Sequence, residues 1–391
     1  MSTQENQARV IKRRTLAAGA AWSIPTVAFA SAAPAFAVSC SGTATSVTHN
    51  NTGGTTSAEG VVRTVTIPAS ACRIVQFEIW GGNSGYVLYG NTGRGTKITG
   101  ELTLPVGAVT LSLIVGGGGG LRGTGETAFT PGGWGYGKGG DIPTQSNANL
   151  VGAQVGAGGG GTAIKMGLTL IAAAGGGGGS SDAIQTSQST PVCTGWTASI
   201  VKSWGGSGYG TASPVGYQTL SIYDTTTTPD TKVIWSEFNG GSNGSGGSGG
   251  IGGAVTSINS LGSPYYPSTG AQWGAWAGTA GGSTGGGTEG GGNGADGRFG
   301  SMSGTNGSAA ITMSVGVGGA GGGGYGGGGS GGAGMVYDPN KCKDGGWGGS
   351  GGGAGGNYIG GGSGVAVRGA AFGINPNGDS ADGYINITYY G

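Results

Sequence analysis

Leu111-Ser-Leu-Ile-Val-Gly-Gly-Gly-Gly-Gly120 runs an apolar strand directly into five consecutive glycines. The same join recurs in Gly161-Thr-Ala-Ile-Lys-Met-Gly-Leu-Thr-Leu-Ile-Ala-Ala-Ala-Gly-Gly-Gly-Gly-Gly179, and further runs lie at Gly321 to Gly324 and Gly326 to Gly329. Polyglycine buries too little apolar surface to offset its ordering entropy, so such runs become ordered only where neighbouring strands supply a core. With 102 glycines and 13 prolines in 391 residues, composition alone points to low complexity. The 35% apolar content, nine tryptophans and fourteen tyrosines oppose that reading, and an ordered chain is expected. Charged residues are only 8% and the formal net charge is +1, which excludes both a basic nucleic-acid footprint and a solvating charged tail.

Outward from the opening stretch, Val61 to Ile67 and Arg73 to Trp80 read as strands joined through Pro68-Ala69-Ser70. Thr96 to Leu104 and Ala108 to Val115 read as a second pair, turned at Pro105-Val106-Gly107. Alternation in Thr64-Val-Thr-Ile67 and Ile74-Val-Gln-Phe-Glu-Ile79 is that of half-buried antiparallel strands. Thr162 to Ala174, Ala309 to Val315, Gly364 to Arg368 and Gly383 to Tyr390 complete the set, and helical periodicity is absent. The expected class is all-β.

Some glycine runs have a period of three. Gly241, Gly244, Gly247, Gly250 and Gly253 share one register, and Gly346, Gly349, Gly352 and Gly355 repeat the habit. Three residues per turn without internal hydrogen bonds is the geometry of the polyproline II helix, so these segments are stable only if they bond laterally to one another. Residues 182–238 depart from the pattern, with Trp196, Trp204, Tyr217, Tyr223, Trp235 and Phe238 among threonine-rich turns. A second aromatic patch holds Tyr265, Tyr266, Trp273 and Trp276. Both read as insertions on one glycine-rich domain spanning 60–391.

The first 37 residues read as an export signal. Lys12, Arg13 and Arg14 precede an alanine-rich apolar stretch, and Ala35-Phe-Ala37 offers a cleavage site before Val38. Arg13-Arg14 partly resembles a twin-arginine signal, and Sec export fits equally. Cleavage takes Arg9, Lys12, Arg13, Arg14 and Glu5, leaving 13 basic and 15 acidic groups. No later stretch is long and apolar enough for a membrane span. Residues 38–59 are read as a polar extension. Cys40, Cys72, Cys193 and Cys342, even in number, widely spaced and lacking a CxxC, point to disulfides in an oxidising compartment. Of three connectivities, Cys40 with Cys72 and Cys193 with Cys342 is the favoured one.

Thr66-Ile-Pro-Ala69 leading to Phe77-Glu-Ile-Trp-Gly-Gly82, then Gly100-Glu-Leu-Thr-Leu-Pro-Val-Gly107, the two strand-to-glycine joins, Gly324-Tyr-Gly326 and Asp382-Gly-Tyr-Ile-Asn-Ile-Thr-Tyr389 together resemble bacterial glycine-rich surface domains. The order is similar to that of the extracellular glycine-rich region of the anaplastic lymphoma kinase and leukocyte tyrosine kinase receptors. The resemblance covers about residues 60–391, and it implies an antiparallel β-sandwich, tumour-necrosis-factor-like, elaborated with a bundle of polyglycine II helices. In the receptors that domain binds protein ligands. No ligand-contact residue carries over, and the insertion at 182–238 has no counterpart.

Chemistry is sparse. GxGxxG matches are as frequent as chance allows at this glycine content, and none opens a helix after a strand. Gly291-Gly-Asn-Gly-Ala-Asp-Gly297 matches the start of a calcium-binding nonapeptide only once, whereas such repeats need stacked neighbours. Asn375, Asn377, Asp379 and Asp382 could offer oxygens to calcium, but a polar turn before the last strand is the preferred reading. His49 is the only histidine, so no Ser-His or Cys-His pair is available. Glu78 with Glu101, or Asp224 with Asp230, are the carboxylate pairs a glycosidase would need. The expectation is therefore a secreted, non-enzymatic surface protein with no cofactor and no metal. It would bind an extracellular glycan or protein through Trp196, Trp204, Trp235, Tyr265, Tyr266, Trp273 and Trp276, or associate with itself as a matrix or coat component.

Overall fold

In a computed structural model of the chain the described residues are 40, 42–51, 61–85, 92–123, 126, 128–144, 154–181, 184–185, 218–223, 232–238, 241–245, 247–256, 272–306, 309–338, 342–362 and 364–391. The chain divides into two compact units, Met1–Cys40 and Ser41–Gly391. Of the first, only Cys40 is described. The strands, numbered in chain order, begin with β1 (Ala44–Asn50), β2 (Val61–Ile67), β3 (Ile74–Trp80), β4 (Thr96–Thr103) and β5 (Val109–Val115). They continue with β6 (Leu121–Arg122), β7 (Val155–Gly156), β8 (Thr162–Met166), β9 (Thr169–Ala174), β10 (Ile184–Gln185), β11 (Gln218–Tyr223), β12 (Lys232–Phe238) and β13 (Val255–Thr256). Then come β14 (Gln272–Trp276), β15 (Arg298–Asn306), β16 (Ala309–Gly318), β17 (Ala333–Asp338), β18 (Cys342–Gly349), β19 (Tyr358–Ile359), β20 (Ala366–Ile374) and β21 (Tyr384–Tyr390). The fold is all-β with antiparallel sheets, and among the described residues no α-helix occurs. No described helix is long and apolar enough to cross a membrane.

Two five-stranded sheets face each other across one core. The first has the order β1-β21-β3-β4-β20 and the second β19-β9-β8-β5-β2. Alternation sets what each strand contributes: Val75, Phe77 and Ile79 of β3 point inward with Ile98, Leu102, Ile385 and Ile387, and meet Val65, Ile67, Leu111, Leu113, Val115, Ile164 and Ile171 from the second sheet. Each fully buried Leu or Ile contributes about 1.5–3 kcal/mol relative to exposure.

The second sheet is apolar on both faces, which explains why Leu111 to Val115 and Ile171 to Ala174 do not alternate cleanly. Ile114, Ala163 and Ala173 point away from the sandwich core into a separate cluster with Tyr136, covered by Trp134, Leu170, Tyr325 and Tyr358. Trp134, Tyr136 and Tyr325 belong to the glycine-rich segments, while Tyr358 comes from the edge strand β19. The sheet is thus packed between its partner and the glycine-rich body.

The expected strand pairs are corrected by the pairing. The strands on either side of each proline turn lie in opposite sheets: β2 pairs with β5, and β3 with β4 and β21. Pro68 to Ser70 and Pro105 to Gly107 therefore arch across the sandwich. One side chain ties the arches together, because the Arg73 guanidinium donates to the carbonyls of Pro68 (2.7 Å) and Pro105 (3.0 Å). Thr162 to Ala174, read as one strand, is a hairpin turned at Gly167 (φ 59°), with Leu168 97% exposed at its tip. The polar extension contributes a strand as well. Its residues Ala44–Asn50 form β1 along the C-terminal strand β21, but Val47 is its one apolar inward residue, too little for a period-two signal.

The glycine runs bond laterally, and their partners rotate with a period of three. In the run 156–161, the N–H groups of Gly156 and Gly159 donate to Ser180 and Gly177, those of Ala157 and Gly160 to Gly120 and Gly117, and those of Gly158 and Gly161 to Gly140 and Gly137. Every third residue thus addresses the same neighbouring run. In 319–324, Gly319 and Gly322 donate to Ser350 and Gly353, Ala320 and Gly323 to Gly156 and Gly159, and Gly321 and Gly324 to Ala295 and Gly292. The period-three stretch read from sequence takes part too, with Gly250 donating to Gly327 (2.7 Å) and Gly244 to Ala354 (3.0 Å). Gly345 to Gly349 instead belong to strand β18.

Asparagine and aspartate side chains satisfy backbone groups where runs bend. Asn83 Oδ1 accepts from Gly95 N–H (2.9 Å), Asn293 Oδ1 from Lys138 N–H (2.9 Å) and Thr288 N–H (2.9 Å), and Asn357 Oδ1 from Gly175 N–H (2.7 Å). Around this body, β11-β12-β13, β10-β18-β17-β14 and the hairpin β15-β16 form smaller sheets. Cys40 and Cys72 form the expected pair, both being disulfide-bonded. Cys193 lies outside the described residues, and of Cys342 only the backbone position at the start of β18 is described.

Candidate functional site

The alternation that sends Phe77 and Ile79 into the core sends Gln76, Glu78 and Trp80 to the outer face of the first sheet. Register places Thr388, Asn386 and Tyr384 of β21 beside them on one side, and Glu101, Thr99 and Lys97 of β4 on the other. The rows extend to Ser46 and Thr48 of β1 and to Arg368 of β20, which stands opposite Glu101. This face is a broad polar surface with one aromatic pair set into it.

Trp80 and Tyr384 have ring centroids 4.4 Å apart at an interplanar angle of 31°. Indole Nε1 of Trp80 donates to Glu78 Oε1 (2.9 Å), and Lys97 Nζ forms an ion pair with that same carboxylate oxygen while lying 5.4 Å from the indole centroid. Cation, carboxylate and rings hold one another in place, which limits the side-chain entropy lost when a partner docks. Along β1 and β21, Asn386 Oδ1 accepts from Ser46 (2.7 Å) and Thr48 (3.2 Å) hydroxyls. The assembly offers stacking surface and fixed donors and acceptors, the combination that suits a sugar ring or a polar protein surface.

Sequence reasoning placed binding elsewhere. Trp196, Trp204, Tyr265 and Tyr266 lie outside the described residues. Trp235 sits in β12, and Trp273 and Trp276 in β14, where only backbone placement is described. Trp80 and Tyr384 were legible in principle, as aromatics at outward positions of alternating strands. What hid them was the pairing of β3 with β21, some 300 residues apart in sequence.

The other candidate chemistries resolve into structural bonds. Glu78 is held by Lys97 and Trp80, and Glu101 lies diagonal to it on an open sheet face. Asp224 and Asp230 lie outside the described residues. In the turn before β21, Asn375 Nδ2 donates to Gly81 O (2.8 Å), the Asp379 carboxylate accepts from the Thr92 hydroxyl, and Asp382 Oδ1 accepts from Gly118 N–H (2.8 Å). Their polar groups are divided among separate partners. Likewise Asp296 Oδ1 accepts from Asp141 N–H (2.8 Å) in the segment that matched a calcium nonapeptide. Among the described residues no cluster of three or more His, Cys, Asp or Glu could hold a metal ion. His49 lies in β1, opposite Ile385, where burial first and the charge of Arg63 second lower its pKa. No protein-family model matches the chain, and no curated protein is significantly similar to it.

Proposed function

We propose that the chain is a secreted, non-enzymatic extracellular protein. In it a bundle of polyglycine II helices, seated on a tumour-necrosis-factor-like β-sandwich, holds the polar and aromatic outer sheet face toward a glycan or protein partner. The observation that carries this reading is the three-residue rotation of hydrogen-bond partners in 156–161 and 319–324, which is what a threefold helix without internal hydrogen bonds presents to its neighbours. Such a body has few soft torsions once bonded, so it suits presentation of a fixed surface. Export agrees with the basic and apolar N-terminal stretch and with the Cys40–Cys72 disulfide. A non-enzymatic role agrees with Glu78 being held by Lys97 and Trp80 on the outer sheet face.

A glycan array and a cell-wall pull-down test the reading. Binding by the wild type that is lost in both Trp80→Ala and Tyr384→Ala, each still folded by circular dichroism, is the expected result. Blank assays with the wild type, or binding indifferent to both substitutions, count against this face.

A further inference from the structure

Arg122 is the least expected side chain in the glycine-rich body. It ends the short strand β6, opposite Val155 of β7, and is only 2% exposed. Its strand partner Val155 packs with Ile142, Ala157 and Ala320, and Phe299 of β15 packs against that cluster. The guanidinium carbon lies 4.8 Å from the Phe299 ring centroid, and Nη1 is buried with no hydrogen-bond partner.

The charge does not go away. Burial lowers the pKa of Arg122 to about 10, with Glu126 acting in the opposite sense, so the group stays protonated at neutral pH. Among the described residues no ion pair joins it to Glu126, whose Oε2 accepts from Gly123 N–H (2.9 Å). A stack on one phenyl ring returns less than the removal of a guanidinium from water takes away. A buried cation with an unused donor therefore calls for an anionic acceptor.

We propose that Arg122 is the binding group of a site for a small oxyanion, held against Phe299 between β6 and β15. The planar fork of a guanidinium matches the paired oxygens of sulfate, phosphate or a carboxylate. The donor left without a partner, Nη1, is the contact such an ion makes. This site is separate from the outer sheet face and does not depend on the function proposed for that face.

The test uses the full exported chain, exchanged into chloride buffer and titrated at constant ionic strength with sulfate, with phosphate and with glucuronate. Heat of binding and thermal midpoint are followed together. The expected result is a saturable rise in midpoint with at least one of them, abolished in Arg122→Met. In Glu126→Gln, which removes a neighbouring negative charge, the affinity is expected to be about tenfold tighter. Saturation by sulfate or phosphate alone assigns the site to a free inorganic anion, and saturation by glucuronate assigns it to an acid sugar. An unsaturable rise of equal slope in the wild type and Arg122→Met is the general salt effect and overturns the site. Should Arg122→Met fail to fold, the wild type and Glu126→Gln still decide: no heat of binding from any of the three anions in either protein also overturns it.

Discussion

Gly158 and Gly378 are the same residue under opposite constraints. A Cβ on Gly158 would overlap the carbonyl of Gly321 in the adjoining run, whereas a Cβ on Gly378 meets nothing within 4 Å. Since the N–H of Gly158 is already bonded to Gly140, the run cannot retreat without breaking its lateral bonds. Gly158→Ala is expected to destabilise by about 3 kcal/mol or more. Gly378→Ala is expected to be neutral or to stabilise by about 0.5 kcal/mol through the unfolded chain. Urea unfolding of the two variants checks the contrast, and equal midpoints would remove the close-approach argument. Asp382 supplies a pH dependence at the same scale. Burial raises its pKa, and the bond from Gly118 N–H offsets this only in part. A carboxyl that holds its proton more tightly when folded contributes stability below its unfolded pKa of about 3.9, lost as pH rises through the raised folded value. Asp382→Asn keeps the acceptor without the charge. Its unfolding midpoint relative to wild type is expected to rise between about pH 3 and pH 7, and a flat difference would contradict it.

At the scale of elements, legibility followed period. Alternation in Ile74 to Ile79 marked β3 correctly because one face of it is solvated, and the strand candidate Gly383 to Tyr390 holds β21. The same cue failed in Thr162 to Ala174, where burial on both faces removes the polar positions that would have shown the turn. It also failed in β1, whose single inward apolar residue, Val47, is outnumbered by serine, threonine and asparagine. The candidate site suffered most. Its rings come from β3 and β21, and neither strand names the other. One covalent tie was foreseen, that between Cys40 and Cys72. It closes a loop of roughly thirty residues, so Cys72→Ser is expected to cost about 3 kcal/mol. Calorimetry of wild type and variant under non-reducing conditions checks this, and an unchanged midpoint would mean that the tie does not constrain the unfolded chain.

Within the unit Ser41–Gly391 the architecture is layered. The outer face of the first sheet meets solvent, the two sheets share one core, and the aromatics of the glycine-rich segments cover the far side of the second sheet. Because each run donates to three neighbours, opening one run frays three others, and cooperativity is expected to be high. Amides of 156–161 and 319–324 are therefore expected to exchange only by global unfolding, with the same free energy as the β5 core strand. Fast, independent exchange of those glycines would describe a tether and remove the scaffold. The sequence alone determined the all-β class and the lateral character of the glycine runs, since local period and conformational freedom are written residue by residue, and it left the Cys40–Cys72 pair as one of three connectivities. Tertiary structure alone decided which strands share a sheet, which run each glycine N–H addresses, and that Trp80 meets Tyr384. The reason is physical: strand pairing is non-local, and a residue without a side chain carries nothing that specifies its neighbour.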